Sequence, residues 1–241
     1  MAMIALPNLS QHKSLDVMKD DMMQSVVHDL RTPITVIKGY LQLLLSGMMG
    51  EMSAEQADVL KRSVGPLEDL ILMTDNLLQS MNLENGQIKL NREKTDLDKL
   101  ISDALDFYQL PFQQRRMRLY RDGNTLGQTI NVDPFWMKRV LQNLIWNAFK
   151  FTPDGGRVFI QVELADHGIS ISVNDSGRGI PADKLTHIFE KFAQASPEHD
   201  AKIGSGLGLW ICNRVIELHG GKLSLTSKVG QGTRFTITLP E

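Results

Sequence analysis

Two long amphipathic helical patterns open the chain, and they constrain its fold because together they cannot bury their own apolar surface. From Leu15, apolar residues recur at Met18, Met22, Val26, Leu30, Pro33, Ile37, Leu41 and Leu44, the three-and-four spacing of a helix over 15–46 with one buried stripe. A second stripe of Val59, Val64, Leu67, Leu70, Ile71, Thr74, Leu77, Leu78 and Met81 predicts a helix over 54–82, kinked at Gly65-Pro66. Between them, "GMMGEMS" holds glycines that stop the first helix and Ser53, which caps the next. Two helices enclose no core. The simplest remedy is pairing with a second copy into a dimeric four-helix bundle. The many methionines of this half read as packing residues.

Within the first pattern lies "VVHDLRTP" at 26–33. At about 100° per residue, His28 falls roughly opposite the stripe and faces water. Pro33 has no N–H, so the carbonyl of Asp29 loses its helical partner and the helix bends one turn beyond the histidine. Taken alone, a histidine beside an acid is also what an ordinary solvated helix face looks like, and the rest of the chain has to decide.

The texture changes near residue 86, giving an N-terminal linker at 1–14, a helical hairpin at 15–86 and a second domain at 87–241. "QIKL", "MRLY" and "TINV" read as short strands, and "DLDKLISDALDFYQ" as a helix with an aspartate cap. A helix from Pro134 to Phe151 has proline in its first turn. "RVFIQVEL" and "GISISVND" form a hairpin, followed by an irregular glycine-rich stretch, the helix "LGLWICNRVIELHGG" and the strands "KLSLTS" and "TRFTITL". This order predicts an α+β chain: the helical hairpin, then a two-layer α/β sandwich.

Composition narrows the setting. A net charge of −2 over 241 residues gives no reason to expect nucleic acid or an anionic membrane as a partner. Cys212 stands alone, which excludes an internal disulfide and a cysteine zinc site; in "LWICNRVIEL" it reads as a core residue. No apolar run approaches the roughly 20 residues needed to span a bilayer, and the start lacks a signal core, so the expected setting is cytoplasmic, either alone or as the cytoplasmic portion of a larger or membrane-bound protein.

The second domain carries several groups suited to a nucleotide. Asn143, Asn147 and Lys150 in "NLIWNAFKF" lie at i, i+4 and i+7 on one helical face, opposite Leu141, Leu144, Ile145 and Ala148. Amide oxygens can complete the shell of Mg²⁺ and a lysine can meet phosphate, although such a face also occurs as plain solvated surface. "DSGRGI" at 175–180 ends a strand with Asp175, Gly177 and Gly179. A carboxylate there can hold a ring amine while bare backbone lies against the ligand, or the segment is simply a tight turn. "GSGLGLW" at 204–210, with Gly204, Gly206 and Gly208, opens a helix whose free N–H groups can receive phosphate. Between these clusters "IFEKFAQASPEHDAKI" has the composition of a lid, anchored by Ile188, Phe189 and Phe192.

In this order, and over about 15–240, these blocks resemble the bacterial sensor histidine kinases of two-component systems. "HDLRTP" is similar to the phosphoacceptor box, "NLIWNAFKF" to the N box, and "DSGRGI", "GSGLGLW" and "GQGTRF" to the glycine boxes, with "IFEKFAQ" as the F box. The resemblance implies a dimerisation and phosphotransfer hairpin followed by a Bergerat-type ATP-binding domain, as in gyrase and Hsp90. It implies ATP and Mg²⁺ as cofactors, a homodimer, and the receiver domain of a response regulator as partner. His28 is then the phosphoacceptor and Asp29 the base that draws off its proton. Thr32, in an acid-x-x-Thr pattern, is implied in removing phosphate from the regulator. Asp175 would accept the adenine amino group, Asn147 would ligate Mg²⁺ with help from Asn143, and Lys150 would contact phosphate. Gly204, Gly206 and Gly208 would let the lid close on the triphosphate.

Some positions depart from the common pattern. Asp29 replaces the more frequent glutamate, and Gln194 stands where many members carry a phosphate-gripping arginine, leaving Lys191 or Lys202 as substitutes. His219, before Gly220-Gly221, reads as a helix cap, and His12, His167, His187 and His199 have no partner at ligand spacing. Two other functions compete. An ATP-hydrolysing relative of gyrase would need a glutamate where this chain has Asn143, and an amide cannot act as a base. A non-catalytic nucleotide-binding scaffold would have no need of filled catalytic positions.

Overall fold

The computed structural model describes residues 9–123, 127–165, 168–194 and 205–240, without the side chains of 9–24, 28 and 165. It divides into two compact units, Met1–Asn85 and Gly86–Glu241.

The first unit is a hairpin of α1 (Leu9–Leu45) and α2 (Ala54–Glu84). Ser53 begins α2 with a reciprocal cap: its Oγ accepts from Gln56 N at 3.2 Å, and its own N–H donates to Gln56 Oε1 at 2.9 Å. Arg31 pairs with Asp75, and Lys38 with Glu68 at 2.9 Å, so the helices run antiparallel. Pro33 and Pro66 both lie within continuous helices. Near the first, Thr35 Oγ1 donates to the Arg31 carbonyl at 2.8 Å.

The expected single stripe of α1 is corrected here. Among the described side chains of α1, Val27 and Ile34 are the buried apolar residues, at 2% and 7% exposure, while Val26, Leu30 and Ile37 are each at least 40% exposed. At about 100° per residue the two sets lie roughly a quarter-turn apart. Counting by threes and fours therefore joined residues left uncovered within one hairpin, Val26, Leu30 and Ile37, to the half-buried Leu41 and Leu44. On α2, Val59 and Leu70 are likewise exposed.

The second unit is a two-layer α/β sandwich. Its main sheet has the order β2 (Arg118–Asp122), β4 (Arg157–Ala165), β5 (Gly168–Asp175), β7 (Gly232–Leu239), β6 (Lys222–Lys228). Only β2 and β4 run parallel. Alternation along the strands sends Val158, Ile160, Ile171, Val173 and Ile237 into the core. There they meet α5 (Pro134–Phe151) and α6 (Gly208–Leu218), which bury Met137, Leu141, Ile145 and Ile216, and α3 (Leu97–Asp106), with Ile101 buried, packs against α5. A short α4 (Gln109–Gln114) follows α3.

"QIKL" is not a strand. Residues 87–90 are irregular, and β1 is Glu93–Asp96, paired antiparallel with β3 (Thr129–Val132). The ladder forms where β3 offers partners, directly before Asp96 caps α3 by accepting from Lys99 N at 3.0 Å. A polar tetrapeptide carries little strand signal of its own.

Candidate functional site

Helix α5 is set at its start by Asp133, whose side chain accepts from Trp136 N at 3.1 Å, and by Pro134 in the first turn. Leu141, Leu144, Ile145 and Ala148 face the core, leaving Asn143, Asn147 and Lys150 partly exposed on another face. Asn143 Nδ2 lies 3.4 Å from the buried Cys212 Sγ, and its amide packs on Gly208: a β-carbon added there would stand 2.7 Å from both amide heavy atoms. Burial pushes the Cys212 thiol up to about 12, which leaves it a protonated packing group. The Lys150 ammonium lies 5.5 Å from the centre of the Trp146 ring.

Asp175 closes β5. Its Oδ1 accepts from Gly177 N at 2.8 Å and from Thr233 N at 3.2 Å. Burial outweighs both bonds and raises its pKa to about 6. Gly177 has no room for a side chain, because a β-carbon would come within 2.5 Å of the Phe151 carbonyl oxygen. Gly179 follows Arg178, whose N–H donates to Phe151 O at 3.2 Å and whose carbonyl accepts from Gly230 at 2.8 Å. Ile180 N donates to Ser227 Oγ at 2.8 Å. The loop carrying Asp175 is thus held by the end of α5 on one side and the β6–β7 hairpin on the other. A cavity of about 510 Å³ opens beside it, lined in part by Lys150, Phe151, Gly177 and Arg178.

The start of α6 meets the first part of the segment expected to form a lid. Gly206, at φ +70°, accepts from Phe192 N at 3.1 Å. The expected anchors divide. Ile188 is buried and Phe189 meets Phe235 edge-on with centroids 6.5 Å apart, but the Phe192 ring is 61% exposed. Phe192 is therefore tied by its backbone, not by its ring. Lys191 lies 4.9 Å from the Trp210 ring centre. Gly204, Lys202, His199 and most of the lid fall outside the described residues.

In the other unit, the backbone carrying His28 is helical, and Asp29 and Thr32 are exposed on the same helix. His219 caps the end of α6 and also bonds further: Nδ1 lies 2.8 Å from Val215 O, and Nε2 accepts from Asp133 N at 3.0 Å. Burial lowers its pKa, so it is a neutral structural link between α6 and α5. His187 pairs with Glu190 at 2.6 Å on the surface. Thr233 and Ser227 were not singled out in the sequence. Thr233 falls inside "GQGTRF", but nothing about its residue type announces that its backbone serves Asp175.

Comparison with known proteins bears on both units. Residues 18–86 match the His Kinase A (phospho-acceptor) domain, and 132–241 match the histidine kinase-, DNA gyrase B- and HSP90-like ATPase. The chain belongs to the sensor histidine kinase family. Among its relatives, the alginate biosynthesis sensor protein KinB of Pseudomonas aeruginosa is 28% identical, over 99% of this chain and 40% of its own length. The circadian input-output histidine kinase CikA of Synechococcus elongatus is 30% identical over 97% of this chain and 31% of its own length. The chain thus spans well under half of these kinases. The crystal structure of full-length ShkA in complex with AMPPNP superposes with a TM-score of 0.72 at 26% identity, covering 91% of this chain and 45% of ShkA. The mycobacterial sensor histidine kinase MprB covers 62% of this chain, with a TM-score of 0.54 at 28% identity.

Among the described residues, no group of three or more His, Cys, Asp or Glu suited to a metal occurs. The donor chemistry on α5 is two neutral amides and an ammonium. That set fits a magnesium ion carried chiefly by phosphate oxygens and water, and it is too poor in charge to hold the ion without a nucleotide. Among the described residues no helix is long and apolar enough to cross a membrane.

Proposed function

We propose that the chain is the catalytic core of a dimeric histidine kinase that transfers the γ-phosphoryl of ATP to His28 and then to an aspartate of a receiver domain. The observation that carries this reading is Asp175. A half-buried carboxylate sits in a loop tied at both ends, next to a helix presenting two amides and a lysine, in a chain that also holds a phosphoacceptor hairpin. ShkA, similar over most of this chain, is described in complex with an ATP analogue.

In this reading Asp175 accepts the adenine amino group. Asn147 and Asn143 supply amide oxygens to Mg²⁺, and Lys150 meets phosphate. Gly177 and Gly179 bring backbone to the base, while Gly206 and Gly208, with Gly204, admit the triphosphate at the start of α6. Mg²⁺ supplies charge neutralisation on the phosphates. A ring nitrogen of His28 forms the P–N bond as the bond from the γ-phosphorus to the bridging oxygen breaks. ADP leaves with that electron pair, and the ring proton passes to Asp29. The attacking form is the neutral imidazole, which carries a free ring lone pair.

The dimer rests on surface accounting. Val26, Leu30 and Ile37 form a stripe that one hairpin leaves in water, and a second copy covers it by pairing helix to helix. Thr32 carries a second activity: its hydroxyl holds the water that removes phosphate from the partner regulator. Incubating the phosphorylated chain with a panel of receiver domains tests the overall function. Rapid transfer to one member under competition is expected, and transfer to none contradicts it.

A further inference from the structure

Arg115 lies outside every motif considered above, yet three of its nitrogens converge on the end of α5. Nη1 donates to Phe149 O at 2.6 Å, Nη2 donates to Thr152 O at 2.8 Å, and Nε donates to Asp154 Oδ1 at 2.7 Å. The guanidinium also stacks 4.7 Å from the centre of the Phe149 ring. Its backbone joins in, because Arg115 O accepts from Gly155 N at 3.1 Å.

A helix leaves its last carbonyls without partners and carries partial negative charge at that end. On α5 those carbonyls are claimed one by one. Ala148 O accepts from Thr152 N, Phe149 O and Thr152 O accept from Arg115, and Phe151 O accepts from Arg178 N of the Asp175 loop. Arg115 therefore brackets Lys150, gripping the residue before it and the residue two after it. The only residue between Lys150 and Thr152 is Phe151, the one on which the nucleotide loop leans. Gly177 packs against that same carbonyl, with no space for a β-carbon. A shift of the last turn of α5 moves both Lys150 and the backbone beneath Asp175.

We infer that Arg115 is a positioning residue for ATP: its fork on Phe149 and Thr152 sets Lys150 and the Asp175 loop in register with one another. This rests on the nucleotide reading given above. The planar guanidinium is required, since lysine is a point donor that cannot span two carbonyls and a carboxylate together. The Asp154 pair is peripheral, because Asp154 is 73% exposed and a surface pair of that kind contributes little.

The test measures ATP affinity by calorimetry, and KM and kcat for autophosphorylation, in wild type, Arg115→Lys, Arg115→Met and Asp154→Asn. Loss of two charge-assisted bonds that align the site predicts about a tenfold weaker ATP affinity and a matching rise in KM for Arg115→Met, with kcat at saturating ATP within about twofold. Arg115→Lys is expected to recover part of the affinity, and Asp154→Asn to bind as wild type does. If Arg115→Met fails to fold, Arg115→Lys carries the measurement, with an expected loss of about threefold. Wild-type ATP affinity in folded Arg115→Lys and Arg115→Met overturns the inference. So does a loss in Asp154→Asn equal to that in Arg115→Lys. A wild-type chain that binds no ATP overturns instead the nucleotide reading on which the inference stands.

Discussion

Asn143 on α5 and Gly208 at the start of α6 are in contact through the Asn143 amide, with room for no atom between them: a β-carbon on Gly208 would lie 2.7 Å from both the nitrogen and the oxygen. The obstacle is the end of a flexible side chain, not backbone. Gly208→Ala is therefore expected to fold normally, with alanine favoured over glycine in the helix, while turning the Asn143 amide aside. Autophosphorylation should fall as far as in Asn143→Ala, and the double variant should be no worse than either single one. Thermal midpoints together with initial rates check this, and additive losses would show that Gly208 acts independently of Asn143.

Asp175 gives a pH-dependent expectation with a definite sign. Its folded pKa of about 6 lies above the usual aspartate value of 3.8, because burial disfavours the charged form. Between those values the folded unit keeps a proton that the unfolded chain has released, so stability falls as pH rises through that window. Asp175→Asn, which does not titrate, should melt higher than wild type at pH 7.5, with the difference shrinking toward pH 4. The same variant should bind ATP about tenfold or more weakly, a neutral amide replacing a charged acceptor. Equal affinity by calorimetry would show that the base is held elsewhere.

Asp29 and Thr32 are proposed to separate two activities on one helical turn. Both are exposed, three residues apart on α1. Thr32→Ala should retain autophosphorylation and transfer while losing most phosphatase activity, whereas Asp29→Asn loses autophosphorylation. Measuring the two rates on one Thr32→Ala preparation decides the matter, and a parallel fall would mean that Thr32 only stiffens the backbone before Pro33.

Helix α5 was legible to the residue, because Pro134 marks its first turn and Asn143, Asn147 and Lys150 share a spacing no strand would give. The strands of the main sheet were legible for a similar reason: one buried face makes the alternation clean. What escaped were features created by partners distant in sequence. Val27 and Ile34 face α2 although Val26 and Leu30 score equally as apolar, and only the packed hairpin distinguishes the two stripes. β1 exists because β3 pairs with it. His219 reads as a helix cap but also accepts from Asp133, 86 residues away. Thr233 and Arg115 act through a backbone amide and a guanidinium fork aimed at carbonyls, and neither leaves a local pattern in the chain.

The most direct measurement of the central claim is labelling with ATP carrying a marked γ-phosphate in the presence of Mg²⁺, followed by acid and base treatment of wild type and His28→Ala. Wild type should take up label in a bond stable to base and labile to acid, while His28→Ala should take up none and still bind ATP. Label persisting undiminished in His28→Ala would contradict the assignment of His28 as phosphoacceptor.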